Sequence, residues 1–206
     1  MRKTLCINII ALSALAVAGC SSNHFDEVLN APALSIVEVD RVIYNDLKSL
    51  MAASDLVVIG KFIQDDEQTL EYEYSEEFGK NIVVGATSTN VIQIEKLLAG
   101  ETSEETLTIS QSYGLDEEAN NFITFSNMTS MKKGDEWIFF LYYDDINDTY
   151  WCAGDYTGRY PVPVEGETVY EKDDITTAEF GVYYDVSLVN VDLYNEIIST
   201  FDCTVE

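Results

Sequence analysis

Residues 137–143 read Trp137-Ile138-Phe139-Phe140-Leu141-Tyr142-Tyr143, the most apolar run beyond the first twenty residues. Seven residues suit a strand and are short for a helix. The run shows no alternation of apolar and polar positions, so it reads as a central strand buried on both faces. Met131-Lys132-Lys133-Gly134-Asp135 forms a turn that feeds it, Asp144 to Asp148 turns the chain after it, and Tyr150 to Ala153 returns beside it.

Working outward, Leu56 to Ile63 is a second apolar strand, and Gly60 inside it predicts a bulge or sharp bend. Glu71-Tyr72-Glu73-Tyr74 alternates, as a half-exposed strand or a long hairpin arm would. Thr87 to Leu98 supplies another strand with Val91, Ile92 and Ile94 as its core, and Ala99-Gly100-Glu101 turns it. Thr106 to Ser110 alternates with Leu107 and Ile109 inward. Shorter strands are expected at Leu34 to Asp40 and Arg159 to Val164, and a polar loop at Gly114 to Asn121. Two helices flank the strands. One spans Asn45 to Ala53 with Asn45 as cap and Leu47, Leu50 and Met51 on one face. The other spans Val191 to Phe201 with Asn190 as cap and Tyr194, Ile197, Ile198 and Phe201 on one face.

Ahead of these elements, Arg2-Lys3 precedes an apolar segment, Leu5 to Ala18, interrupted only by Asn8 and Ser13. It has the length of a signal-peptide core and falls short of the roughly 20 residues of a spanning helix. It ends in Val17-Ala18-Gly19-Cys20, which resembles the lipobox of bacterial lipoproteins. The resemblance implies cleavage between Gly19 and Cys20 and a diacylglycerol on the Cys20 thiol. Two acyl chains anchor stably where one binds only weakly. The expected place is therefore the extracytoplasmic face of a cell membrane. Ser21, rather than an aspartate, follows the cysteine, so an outer membrane is permitted where the cell has one. Residues 1–19 are then a signal peptide, 20–33 a lipidated tether and 34–206 one domain.

The chain carries 37 acidic and 11 basic side chains, a net charge of −26. Loss of residues 1–19 removes Arg2 and Lys3 and leaves about −28, which repels nucleic acid and anionic head groups. Nucleic acid is thus excluded as a partner. The acids are interspersed with 13 Tyr, nine Phe and two Trp, enough for one core and unlike a disordered acidic tail. The one histidine, His24, lies in the tether. A folded Ser-His or Cys-His pair and a histidine zinc site are therefore excluded. No cofactor is implied. Beyond Cys20 the cysteines are Cys152 and Cys203. An oxidising location permits a disulfide between them, and two separate buried thiols are the alternative.

Four phrases in order carry a second resemblance: Ser54 to Lys61, Val91 to Glu101, Lys133 to Leu141 and Gly154 to Pro161. They are similar to a group of bacterial surface lipoproteins, and their layout resembles the OB-type barrel of netrin and metalloproteinase-inhibitor domains. The implied fold is mainly β: a five- to seven-stranded OB-like barrel with an N-terminal and a C-terminal helix. Closure also hides the edges of many aromatic strands. The inhibitor activity does not transfer, because those inhibitors chelate zinc through a free amino-terminal cysteine and Cys20 would be lipidated.

These readings point to a non-catalytic surface interaction module whose partner is a protein or a cell-envelope polymer. Trp151, Tyr156 and Arg159 form the candidate binding face, since aromatic side chains give contact area at little entropic cost. Two alternatives remain. A cell-envelope carbohydrate hydrolase needs two opposed carboxylates, one with a raised pKa. A calcium-stabilised domain needs clustered oxygens, for which Asp144, Asp145, Asn147 and Asp148 are the candidates, although they lack the spacing of an EF-hand loop.

Overall fold

A computed structural model of the chain describes residues 31–163, 170, 171, 176, 177, 179–183, 186–201 and 203. The readings made for residues 1–30, Gly19, Cys20 and His24 among them, and the end of the predicted strand at Val164 lie outside the described residues.

Strand β7 (Glu136–Asp144) is the hub. One edge pairs with the start of β2 (Leu56–Ser75), Leu56 to Lys61 against Leu141 to Glu136. Its other edge is shared end to end by β8 (Thr149–Cys152) and β9 (Arg159–Pro161). β2 turns back into β3 (Lys80–Ala99), β3 pairs with β4 (Thr106–Gln111), and β4 pairs in parallel with β8. The ring β2-β3-β4-β8-β7-β2 closes a five-stranded barrel of OB-like topology. The β4–β8 seam is short, with only Ile109 opposite Tyr150 and Ser110 opposite Trp151. Thr149 pins it: its buried hydroxyl donates to Thr108 O at 3.0 Å and lies 3.2 Å from Ser110 Oγ.

Alternation along β7 explains why both of its faces are apolar. Trp137, Phe139 and Leu141 fill the barrel with Val58, Phe62, Ile92, Leu107 and Ile109. Ile138 and Phe140 point outward into a second core, under α1 (Leu47–Ala52) and α2 (Val191–Phe201). Each such side chain contributes roughly 1.5–3 kcal/mol by leaving water. In that outer layer Tyr194 stacks on Tyr160 at 5.9 Å and meets Phe180 edge-on at 4.9 Å. Helix α2 is amphipathic as its spacing predicts, burying Leu193, Tyr194, Ile197 and Ile198, and Asn190 Oδ1 accepts from Leu193 N. Gly60 does interrupt the ladder, with a register shift between Ile59 and Gly60. A Cβ there would come within 2.7 Å of Ile92 Cδ1, so the barrel is closely packed at this bend.

The first helix is capped one residue later than the sequence suggests. Asp46, with extended backbone, accepts from Ser49 N and Ser49 Oγ, both at 2.8 Å. The Ser49 backbone bond, with help from the hydroxyl, holds the Asp46 carboxyl below its ordinary 3.8. A depressed folded pKa gives stability that is present above the unfolded value and lost as pH falls through the folded one. The urea midpoint should therefore drop as pH falls below about 5, and Asp46→Asn should drop less over the same range. Equal drops would show that the cap does not titrate as described.

The region read as a polar loop is instead a hairpin, β5 (Tyr113–Asp116) and β6 (Asn121–Thr124), with β1 (Ala33–Ile36) parallel to β6. Its turn residues were legible, but two four-residue strands are too short for a period to show. The free edge of β5 is closed by a side chain: Gln68 donates to Leu115 O at 2.8 Å and accepts from Leu115 N at 2.6 Å. Pro32–Glu206 forms one compact unit. Among the described residues no helix is long and apolar enough to cross a membrane.

Candidate functional site

The structure divides the sequence-predicted binding face. Trp151 is half-buried on β8, opposite Tyr142 on β7. Tyr156 and Arg159 are buried, and the Arg159 side chain is 2% exposed. They cannot form a contact surface. Arg159 points into the barrel from β9, and among the described residues the acceptors of its guanidinium are neutral. Nη1 donates to Gln111 Oε1 at 2.7 Å; Nη2 donates to Gly181 O at 2.9 Å and Thr129 O at 3.0 Å. The Trp137 ring lies 4.6 Å away. Burial lowers the Arg159 pKa.

A line of buried amides continues from that cation. Gln111 Nε2 donates to Asn90 Oδ1 at 2.7 Å, and Asn90 Nδ2 donates to Asp65 Oδ1 at 2.8 Å at the exposed root of the β2–β3 hairpin. Both amide dipoles run head to tail from guanidinium to carboxylate, so the two charges polarise the chain in the same sense. Tyr113 OH also donates to Asn90 Oδ1, and burial pushes that phenol up to about 12. The Arg159 side chain is thus an internal strut.

Of the two alternatives for Cys152 and Cys203, the structure has the second: no bridge is formed. Both thiols are buried, but Cys152 packs inside the barrel and Cys203 in the outer layer, with β7 between those two cores. Burial pushes the Cys152 thiol up to about 12, which makes it inert.

The surface chemistry gathers instead at the end of the barrel where β7 turns into β8. The apolar run stays buried through Leu141, then emerges: Tyr142 is 41% and Tyr143 44% exposed. Tyr143 faces Tyr150 across the hairpin, with ring centroids 5.1 Å apart. Tyr143 is fixed at both ends, its N–H donating to Asp55 Oδ2 at 2.8 Å and its phenol to Asp148 Oδ1 at 2.6 Å. That phenol bond pushes the Tyr143 pKa up to about 12. Burial, then the charges of Glu104 and Asp55, raises that of Tyr150. Both rings therefore remain neutral in a negative field.

Two grooves flank this hairpin and share Tyr143. One, of about 560 Å³, opens at the barrel mouth between Glu104, Glu105, Asp148, Thr108, Tyr143 and Tyr150. The other, of about 570 Å³, runs along the outer side past Asp40, Arg41, Asp55, Tyr142 and Asp155. Arg41 is the one basic side chain among the described residues of the two. It is already engaged, donating to Ser126 O at 3.0 Å and lying 4.8 Å from the Tyr156 ring. Such a surface suits a cationic occupant: the carboxylates supply long-range attraction and the tyrosine faces supply cation–π contact.

The calcium candidates sit in the same turn, but two of them, Asp144 and Asp148, are already engaged by protein donors. Asp144 Oδ1 accepts from Ile146 N and Oδ2 from Asn147 Nδ2, while Asp148 holds the Tyr143 phenol. Among the described residues no three His, Cys, Asp or Glu side chains converge as a metal would require. The Asn147 bond holds the Asp144 carboxyl below its ordinary value, opposite to what a general acid needs.

Tyr142, Tyr143, Tyr150, Glu104 and Asp55 were not singled out by the sequence. The available signal was the change from a pure apolar run to Tyr-Tyr-Asp-Asp at positions 142–145. Comparison with protein-family models, with curated proteins and with solved structures found no match, so the reading of this site rests on its own geometry.

Proposed function

We propose that this chain is a lipid-anchored, non-catalytic recognition protein at the extracytoplasmic face of a cell membrane. Its ligand-binding face is the acidic, tyrosine-lined end of the barrel, and its partner is a basic protein surface. The anchor reading is supported by Arg2-Lys3, the apolar core and Val17-Ala18-Gly19-Cys20. The recognition reading is carried by one observation: two grooves meet at Tyr143 and their carboxylates face solvent, with no available counter-cation among their described lining residues. No Asp or Glu is among the buried side chains of the described residues, which favours binding over hydrolysis by a buried general acid. A cell-envelope polymer of neutral sugars would gain stacking from the tyrosines but nothing from the charge.

The test is cross-linking in cells with three forms of the full chain: wild type, Cys20→Ser and Tyr142→Ala/Tyr150→Ala. Cys20→Ser should lose lipid label and leave the membrane fraction. The double variant should stay membrane-bound, keep its circular dichroism and lose its cross-linked protein partner at least tenfold, as loss of two interface aromatics implies. Membrane retention of Cys20→Ser overturns the anchor. Capture of the same partner by the double variant, or of wall polymer alone by both, overturns the binding face.

A further inference from the structure

The β2–β3 hairpin is longer than the barrel needs. β7 stops pairing with β2 at Lys61, and β4 pairs with β3 only from Ser88 onward. From there to the turn at Glu76–Gly79 the two strands, among the described residues, pair with each other alone, Thr69 opposite Thr87 through Ser75 opposite Lys80. An isolated two-stranded ribbon is marginal in water. Its root is held because Leu70 and Ala86 pack on Ile123 and Phe125 of the small sheet, and because Gln68 clamps Leu115.

Beyond that root the cover thins: Val83, opposite Tyr72, still packs against the same cluster, but the rings along β2 stand exposed. Leu70, Tyr72 and Tyr74 are spaced by two and share a side of the strand. Tyr72 is 51%, Tyr74 65% and Phe78 at the tip 63% exposed. The opposite side of the strand carries Glu71 and Glu73, the turn adds Glu76 and Glu77, and Asp116 and Glu118 lie close enough to act on the Tyr72 phenol. Lys80 is the one basic residue among 64–88. Edge glutamates alone would serve to keep other strands away. Exposed rings at alternate positions serve the reverse purpose, since they add apolar surface to an edge.

We infer that the outer edge of β2 over residues 70–75 is a docking edge for a lysine- or arginine-rich extended segment of a partner protein. The segment adds as a third strand. Main-chain bonds to the free edge hold it, and its alternate side chains lie over Tyr72 and Tyr74 on one face and beside Glu71 and Glu73 on the other. Charge selects the occupant. A second copy of this chain would set glutamate against glutamate, and an acidic or neutral strand gains the backbone bonds without the attraction. The surface is separate from the grooves at Tyr143: it lies at the far end of β2 from Leu56, where that strand meets the β7–β8 end.

Hydrogen–deuterium exchange on the full chain tests this with a ten-residue peptide of alternating lysine and threonine. A glutamate–threonine peptide is the control. The lysine peptide should slow exchange across residues 70–75 at least tenfold at low salt, and the glutamate peptide should leave it unchanged. Glu71→Lys/Glu73→Lys should abolish the protection, and Tyr142→Ala/Tyr150→Ala should retain it. Unchanged exchange with saturating lysine peptide overturns the inference, as does protection that survives the charge reversal. Protection that vanishes in the Tyr142/Tyr150 variant would place the peptide in the grooves. Protection that grows with protein concentration in the absence of peptide would make the occupant a second copy. Either result also overturns it.

Discussion

Arg159→Leu should lower the unfolding free energy by about 3 kcal/mol, a large share of the roughly 5–15 kcal/mol that domains possess. The substitution removes a desolvated charge, which by itself would help. It also strands Gln111 Oε1 and Thr129 O, which Arg159 satisfies, while Gly181 O keeps its bond from Thr129 N at 2.8 Å. A buried acceptor without a donor costs roughly 1–3 kcal/mol, so two of them outweigh the relief. The Trp137 ring loses its cation as well. Arg159→Lys should recover no more than about half the loss, because an ammonium cannot span acceptors held by a planar fork. Urea denaturation followed by circular dichroism reads both. A change under about 1 kcal/mol for the leucine variant would show that the strut does not carry the barrel.

The second large effect is expected at Gly100, which closes the β3–β4 turn. Its φ is +87°, and a Cβ would stand 2.3 Å from Asp55 O and 2.8 Å from Leu56 Cδ2. The obstacle is backbone, which cannot rotate away as a side-chain tip can. Gly100→Val combines that collision with a left-handed conformation a β-branched residue avoids, and should cost about 3 kcal/mol. The damage should also reach the candidate site, because Asp55 is tied to β7 by Asp55 N to Leu141 O at 2.7 Å and by the bond from Tyr143 N. The amide resonance of Tyr143 should therefore move in Gly100→Val. By contrast, Gly134→Ala, where a Cβ would meet nothing within 4 Å, should leave it in place. A Tyr143 resonance indifferent to Gly100→Val would separate the turn from the site.

Where a segment's environment is uniform along its length, the sequence foretold the structure. Trp137 to Leu141 is buried on both faces, and residues 191–201 bury one stripe under a cap at Asn190. Gly60 marked a real irregularity. The failures have a common cause in long-range partners. Arg159 in an acidic chain reads as a surface cation, because nothing local announces acceptors 48, 30 and 22 residues away. Tyr156 reads as a contact residue until Arg41 is found over its ring. Cys152 and Cys203 satisfy loop arithmetic, yet lie in different cores because Cys152 faces the barrel interior. Half of the candidate site was legible as a change of composition after Leu141. The rest, Asp55, Glu104 and Glu105, comes from two distant turns that only barrel closure brings to Tyr143 and Tyr150.

The most direct measurement is a titration of the isotopically labelled full chain with hexalysine, followed by amide resonances at low and high salt. The account predicts shifts at Thr106, Thr108, Tyr143 and Tyr150 that saturate, weaken as salt screens the carboxylates, and disappear in Tyr142→Ala/Tyr150→Ala. Undisturbed resonances at those four residues under saturating peptide, or the same shifts in the double variant, would contradict it.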